Sequence, residues 1–222
     1  MRCRRNVMLG ALPDKRHNRA MTWVFLLFAA ACALLYGLRW AASRTTSAAR
    51  STVKTASVAC LALAGLTGGA PAPVVVGLAL GAVGDFLLSR QGEGAFLGGM
   101  AAFAAGHLAY ALAFGAGMPG WPVLIALGLL AISTEAWLAP HTGALRWPVR
   151  GYVLVICAMA TLAAARSEPL LRLGAALFVA SDLMLALEIF VIRAPARRRL
   201  LSCALWPAYW GGQVLILWAL LP

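Results

Sequence analysis

Three carboxylates and a histidine interrupt the long apolar runs of this sequence. Asp85, Asp182, Glu188 and His107 all lie within such runs. Because a carboxylate near the middle of a bilayer costs about 2.5–3.5 kcal/mol on insertion scales, each of them needs a partner or a function. Two carboxyl groups in an apolar pocket can divide the work of acid and base, since desolvation keeps one protonated while the other stays ionised. We therefore expect Asp85 and Asp182 to carry general acid–base chemistry.

The elements that must position these groups are membrane-spanning helices. Of the 222 residues, 62% are hydrophobic and 12% are charged, whereas soluble domains average about 45–50% apolar and about 25% charged residues. This composition excludes an ordinary soluble fold and also disorder. One span takes about 20 apolar residues, so we expect an all-α polytopic membrane protein with about eight transmembrane helices in one bundle. The predicted spans are roughly 22–38, 53–69, 73–90, 94–115, 121–139, 149–165, 169–191 and 201–221.

The N-terminal segment differs from the rest of the chain. Residues 1–20 are polar and basic, and we interpret them as an N-terminal extension before a single transmembrane domain at 21–222. Met1, Met8 and Met21 are all candidate starts. A start at Met21 would remove bases that conflict with the orientation expected from the loops.

The positive charge of the chain indicates orientation in a membrane. The 19 Lys and Arg residues outnumber 7 acidic residues, for a formal net charge of +12. They lie between apolar runs, as in residues 39–50 and 193–199, and no basic stripe alternates with aromatic residues. We therefore expect contacts with membrane lipids and no binding of nucleic acid. Because the loops after spans one, three, five and seven hold most bases, we place these odd-numbered loops in the cytoplasm of a multi-pass cell-membrane protein.

The costly polar groups gather in one half of the predicted bilayer. Counting from the ends of the alternating spans brings them to the cytoplasmic half. They are Lys54, Asp85, His107, Tyr110, Asp182, Glu188 and Gln213. Structural pairs would not need to lie on one side, so we expect a single polar pocket that opens towards the cytoplasmic leaflet.

Three other hydrolytic chemistries fit the sequence less well. Zinc usually takes three protein ligands, and His107 is the one histidine of three within a predicted span. Ser89 and Ser181 lack the G-x-S-x-G context of a nucleophile elbow. Intramembrane aspartyl proteolysis also uses two helical aspartates, but Asp85 follows Ala-Val-Gly instead of Gly-x-Gly, and Asp182 follows Ser instead of Tyr.

A series of short motifs covers nearly the whole chain from the first span to the C-terminus. The motifs are Lys54 at the start of span two, GDFLL at 84–88, FAAGHLAY at 103–110, GY at 151–152 with Met159, GAALFVASD at 174–182 and YWGGQ at 209–213. In order and spacing they resemble the lysoplasmalogenase family of YhhN-like multi-pass membrane proteins. Residues 1–20 have no counterpart in that pattern.

The resemblance implies hydrolysis of the vinyl ether bond of a lysophospholipid, lysoplasmalogen. The products would be a fatty aldehyde and a glycerophospho-ethanolamine or -choline, and no metal or organic cofactor would be needed. Enol ethers hydrolyse by rate-limiting protonation of the β-carbon, and water then captures the oxocarbenium ion. A neutral carboxylic acid can supply the proton, while a carboxylate stabilises the cation and activates water.

On this reading Asp85 and Asp182 are the catalytic acid–base pair, with the choice of acid left open. His107 completes the predicted catalytic set; together with Tyr110 it would orient water or a carboxyl group. Lys54 would meet the substrate phosphate near the interface. The substrate-binding set comprises Lys54, Tyr110, Tyr152, Ser181, Glu188, Tyr209 and Gln213. The alkenyl tail would lie among the spans.

A weak internal sequence similarity indicates how the two aspartates could come together. GDFLL at 84–88 is similar to SDLML at 181–185, and spans three and seven run in the same direction. A parallel four-plus-four repeat would bring Asp85 and Asp182 together across a pseudo-axis.

Two other classes of function stay open. A proton-coupled transporter or channel also uses intramembrane Asp and His residues, although spans three and seven lack the Gly–Pro interruptions that such sites favour. A non-catalytic scaffold would leave the one-sided polar cluster without a purpose. Headgroup, chain length and oligomeric state are not determined by the sequence.

Overall fold

The computed structural model describes residues 15–43 and 46–222; residues 1–14, which include Met1 and Met8, and residues 44–45 lie outside this part. The described residues form eight α-helices and no β-strand, which confirms the predicted all-α polytopic bundle. The helices are α1 (Lys15–Trp40), α2 (Ala48–Gly68), α3 (Ala72–Leu88), α4 (Glu93–Phe114), α5 (Trp121–Trp137), α6 (Arg146–Ala164), α7 (Pro169–Ala186) and α8 (Pro195–Leu220). Two 3-10 turns follow α5, and a π-helical turn, Leu187–Val191, extends α7.

Six of the eight described helices are long and apolar enough to cross a membrane. The other two are α2 and α3, which carry Lys54 and Asp85. Helix α3 is apolar but has only 17 residues, a length of about 26 Å at 1.5 Å per residue. Helix α2 has 21 residues, and its first turns are polar and basic. The two helices that bring opposite charges into the bundle are therefore the ones least suited to face lipid alone.

Packing is most extensive between helices that follow each other in sequence. Helix α2 lies between α1 and α3, α3 packs on α4, and α7 packs on α8. Helix α4 also packs on α6, while α5 contacts mainly α6 and stands at the edge of the bundle. The α3–α4 and α7–α8 pairs correspond to each other in a four-plus-four repeat, but α1–α2 packs far more closely than α5–α6. The repeat stays a prediction.

Three helices begin five to seven residues earlier than the sequence predicted. Helix α1 starts at Lys15, inside the predicted extension, and α2 starts at Ala48, where the Ser47 side chain accepts a hydrogen bond from the Arg50 amide. Helix α8 starts at Pro195, since proline is well suited to the first helical position. Because of these starts, Arg50 and the three arginines 197–199 lie within the first five residues of helices and not in the loops predicted for them.

Helices α7 and α8 approach each other through two glycines. A Cβ atom added at Gly174 would lie 2.8 Å from the Gly212 carbonyl oxygen, and one added at Gly212 would lie 2.8 Å from the Gly174 carbonyl oxygen. Small residues allow such backbone-to-backbone contact between membrane helices. This contact holds α8 against the helix that carries Asp182.

We expect Gly174→Ala to destabilise the protein by about 1–3 kcal/mol, because the added methyl group must push α8 away from α7. The matched control is Gly211→Ala, since a Cβ atom at Gly211 meets nothing within 4 Å. The measurement is the unfolding midpoint of each purified variant in detergent. Equal midpoints for the two variants would contradict the close contact.

Candidate active site

A polar cavity of about 390 Å³ opens at one end of the bundle. Its walls come from the last turns of α1, α3 and α7, from the segments that follow α1 and α7, and from the N-terminal parts of α2, α4 and α8. All three carboxylates of the predicted cluster, Asp85, Asp182 and Glu188, line it. The structure thus places these groups around one space at the end of the bundle where the odd-numbered loops lie.

Asp85 is fully buried and is held by groups from two other helices. The Lys54 Nζ atom lies 2.7 Å from Asp85 Oδ1, and the Tyr209 hydroxyl donates a hydrogen bond of 2.8 Å to Oδ2. The Lys54 side chain is 18% exposed, and its ammonium lies 5.8–5.9 Å from the centroids of three aromatic rings. These rings belong to Tyr36, Trp206 and Tyr209. A buried carboxylate needs such a paired and hydrogen-bonded environment.

Asp182 belongs to a second set of hydrogen bonds. The Tyr152 hydroxyl donates to Asp182 Oδ2 over 2.5 Å, and His107 Nε2 lies 3.0 Å from the Tyr152 hydroxyl and 3.4 Å from Asp182 Oδ2. With the proton on Nε2, His107 donates to Tyr152, which in turn donates to Asp182. His107 is buried, whereas the Asp182 side chain is 14% exposed. The geometry therefore leaves Asp182 in contact with the cavity.

A second, apolar cavity of about 100 Å³ adjoins the first. It lies among α4, α5, α6 and α7 and is lined mainly by aliphatic and aromatic side chains. The residues that line both cavities are Leu88, Phe96, Phe103, Asp182, Leu185 and Ile189. Within the described part of the chain, Asp182 is thus the one ionisable residue of this junction.

The two aspartates share the cavity but not a hydrogen bond. Asp85 on α3 pairs with side chains of α2 and α8, whereas Asp182 on α7 pairs with side chains of α4 and α6. The two aspartates therefore line one cavity, and each is held by its own set of partners.

Of the remaining predicted residues, some line the polar cavity and others are buried behind its wall. Ser181 and Glu188 line the polar cavity, although the Ser181 hydroxyl donates to the Phe178 carbonyl oxygen over 2.7 Å. Tyr110 and Gln213 line neither cavity. They are fully buried behind the wall, where the Tyr110 hydroxyl donates to Gln213 Oε1 over 3.0 Å.

Two of the basic residues that line the cavity were not predicted as site residues from the sequence. Arg50 and Arg198 line the polar cavity near its opening, and both were interpreted as anchors in loops. The spacing of Arg50 and Lys54, four residues apart, would place both on one helix face. That signal depended on knowing that α2 begins before Arg50.

Comparisons with known proteins assign the chain to a family. The family model described as YhhN family matches residues 49–220, from the first turn of α2 to the end of α8.

The chain belongs to the YhhN family.

Two relatives of this YhhN-family chain are named Lysoplasmalogenase TMEM86A. The Bos taurus protein is 32% identical over 208 residues, which cover 85% of this chain and 84% of the relative. The Homo sapiens protein is 31% identical over 212 residues, with the same coverage of 85% and 84%. No solved structure matches the chain.

We expect Lys54→Met to cost about 3–5 kcal/mol of folding stability, since it leaves the buried Asp85 carboxylate without its cation. The double variant Lys54→Met/Asp85→Leu should recover most of this loss, because it removes both charges. Chemical unfolding of the purified variants in detergent measures the difference.

The control for this experiment is Arg150→Met, which breaks the exposed ion pair with Glu135. Exposed pairs contribute about 0–1 kcal/mol, so this change should be small. If Lys54→Met is no more destabilising than Arg150→Met, the ion pair with Asp85 does not hold the bundle.

Proposed function

We propose that this chain is a membrane-embedded, lysoplasmalogenase-like hydrolase that cleaves the vinyl ether bond of a lysophospholipid. The observation that carries the proposal is the position of Asp182 where the polar cavity meets the apolar one. A lysoplasmalogen likewise has a polar part and an apolar part, because its vinyl ether joins a polar glycerophospho headgroup to a single hydrocarbon chain. Family membership and the two relatives named lysoplasmalogenase support the same activity.

The substrate would lie across the junction of the two cavities. Its headgroup and glycerol occupy the polar cavity, and the first carbons of the alkenyl chain enter the apolar one among α4 to α7. The vinyl ether then lies beside the Asp182 carboxyl group. A single-chain lipid can reach such a site from the bilayer, which accounts for an enzyme that is almost entirely helical and apolar.

Asp182 is the proposed general acid of this reaction. Within the described part of the chain, Tyr152 and His107 both contact Oδ2 of this side chain, so we assign the transferred proton to Oδ1. Transfer of that proton to the β-carbon gives an oxocarbenium ion with the positive charge shared between the α-carbon and the ether oxygen. His107 and Tyr152 act as positioning residues that hold the carboxyl group against the junction.

Asp85 is the proposed base on the headgroup side. Water adds to the α-carbon of the cation and gives up a proton, which the Asp85 carboxylate takes directly or through the Tyr209 hydroxyl. The resulting hemiacetal breaks its bond to the glycerol oxygen, which receives a proton, and the aldehyde leaves along the apolar cavity. The proton that the glycerol oxygen receives equals the one that the hemiacetal hydroxyl gives up, so this step needs no further proton. The acid and the base are restored when Asp85 releases its proton to water and Asp182 takes one up from water.

The other predicted residues keep narrower roles in this proposal. Lys54 holds Asp85 in place, and Glu188 and Ser181 contribute to the wall that faces the headgroup. Tyr110 and Gln213 support that wall from behind. We further propose that residues 21–222 act as one domain in the cell membrane, with the odd-numbered loops and the cavity opening on the cytoplasmic side.

We expect Asp182→Asn and Asp85→Asn each to lower kcat for aldehyde release by at least about 10²-fold, because general acid–base catalysis contributes about 10²–10⁴-fold. The measurement is fatty aldehyde formed from lysoplasmenylethanolamine by purified protein in detergent. Circular dichroism and elution volume report whether each variant is folded.

The matched control is Glu135→Gln, which removes an exposed carboxylate on α5 that lines neither cavity. Its aldehyde release should stay within about twofold of the parent protein, as expected for a surface substitution. Folded Asp182→Asn protein with the parent rate would refute the assignment of the acid.

A further inference from the structure

Two arginines lie at the opening of the polar cavity with part of their hydrogen-bonding capacity unused. Arg50 from α2 and Arg198 from α8 both line the cavity. The Arg50 Nη2 atom donates to the Tyr36 hydroxyl over 3.2 Å. The Nε atom of each arginine is buried and, within the described part of the chain, has no hydrogen-bond partner. Buried donors of this kind normally have a partner, which suggests that a ligand supplies one.

The surroundings of the pair favour an anion. Arg50 is the third residue of α2 and Arg198 is the fourth residue of α8, so both lie near helix N-termini, where the helix dipole favours an anion. Guanidinium groups bind phosphate through parallel N–H donors, a geometry that one ammonium group does not offer. Two such groups on different helices can hold one phosphate from two sides.

Lys54 is not the cation that meets this phosphate. Its ammonium is engaged by Asp85 at 2.7 Å, so it is poorly placed to meet the phosphate for which the sequence proposed it. Within the described part of the chain, the other two basic residues that line the cavity are Arg50 and Arg198.

We propose that Arg50 and Arg198 together bind the phosphodiester of the lysolipid headgroup and so select a phospholipid over the corresponding neutral glycerol ether. This inference rests on the proposed function and deepens it. With the phosphate at the opening and the glycerol inside the polar cavity, the vinyl ether reaches the junction at Asp182. By holding the phosphate, the arginines therefore fix the position of the vinyl ether relative to the Asp182 carboxyl group.

The test compares two substrates with the same alkenyl chain, lysoplasmenylethanolamine and 1-alkenylglycerol, which lacks the phosphate. Full-length Arg50→Gln and Arg198→Gln proteins in detergent should each show about a tenfold higher KM for the phospholipid, as expected for loss of a charged hydrogen bond. The ratio of kcat/KM for the phospholipid to that for the alkenylglycerol should fall by a similar factor. Arg50→Lys should recover part of the ratio, because it keeps the charge but loses the paired donors.

The matched control is Arg197→Gln, which removes the exposed arginine next to Arg198 that is absent from the cavity wall. Its substrate ratio should equal that of the parent protein. The proposal is overturned if the Gln variants at 50 and 198 lose activity equally on both substrates, since that pattern indicates a structural defect. It is also overturned if Arg197→Gln changes the ratio as much as they do.

If the parent protein releases aldehyde from neither substrate, the proposed function is refuted. The arginine site can then still be tested by a binding measurement. The ester lipid lysophosphatidylethanolamine should raise the unfolding temperature of the parent protein more than monoacylglycerol does, and Arg50→Gln and Arg198→Gln should lose that difference. An undiminished difference in both variants would overturn the site. Inorganic phosphate should have little effect alone; if it matches the lysolipid, the site binds free phosphate and the assignment to a lipid headgroup is wrong.

Discussion

A carboxylate inside an apolar bundle must be paired, and the pairing of Asp85 with Lys54 organises this protein. The ion pair joins α2 to α3, and the hydrogen bond from Tyr209 adds α8. Removing one partner leaves a buried, uncompensated charge, which lowers the folding stability strongly. Three helices are therefore held together at one end of the bundle by groups that cannot be satisfied elsewhere. The polar cavity lies beside this contact, since Lys54, Asp85 and Tyr209 all line it.

The two aspartates occupy similar sequence motifs but different environments. Asp85 is fully buried against a cation, whereas Asp182 accepts hydrogen bonds from a tyrosine and a histidine and still reaches the cavity. Environment of this kind decides which of two carboxyl groups acts as acid and which as base. The apolar cavity beside Asp182 then explains where the chain of a lysolipid would go. In the proposed binding mode, the headgroup, the scissile bond and the tail would follow one another from the polar cavity into the apolar one.

Much of this arrangement could be predicted from the sequence, because membrane burial makes polar residues informative. The helical bundle and the gathering of Asp85, Asp182 and Glu188 at one end follow from apolar runs interrupted by costly groups. The partners of those groups could not be predicted in the same way. Helix α4, for example, is apolar on every side, so its sequence does not indicate that His107 faces Asp182 while Tyr110 faces Gln213.

Arg50 and Arg198 show a different reason for a missed site residue. Their charge fitted the expectation for loops at a membrane surface, and only the early starts of α2 and α8 turn both side chains into the cavity. These helix starts depend on local features, the Ser47 cap and the proline at 195. The pattern of apolar runs does not indicate where such features begin a helix. The orientation of the loops relative to the cytoplasm stays a prediction.

The most direct test of the central claim is an experimental structure of the protein with a 1-O-alkyl lysophospholipid, whose saturated ether cannot be cleaved by protonation at carbon. We predict that the ether oxygen and the first two chain carbons contact the Asp182 carboxyl group, and that the chain continues into the apolar cavity among α4 to α7. A lipid whose ether lies away from Asp182, or whose chain leaves the apolar cavity empty, would contradict the account.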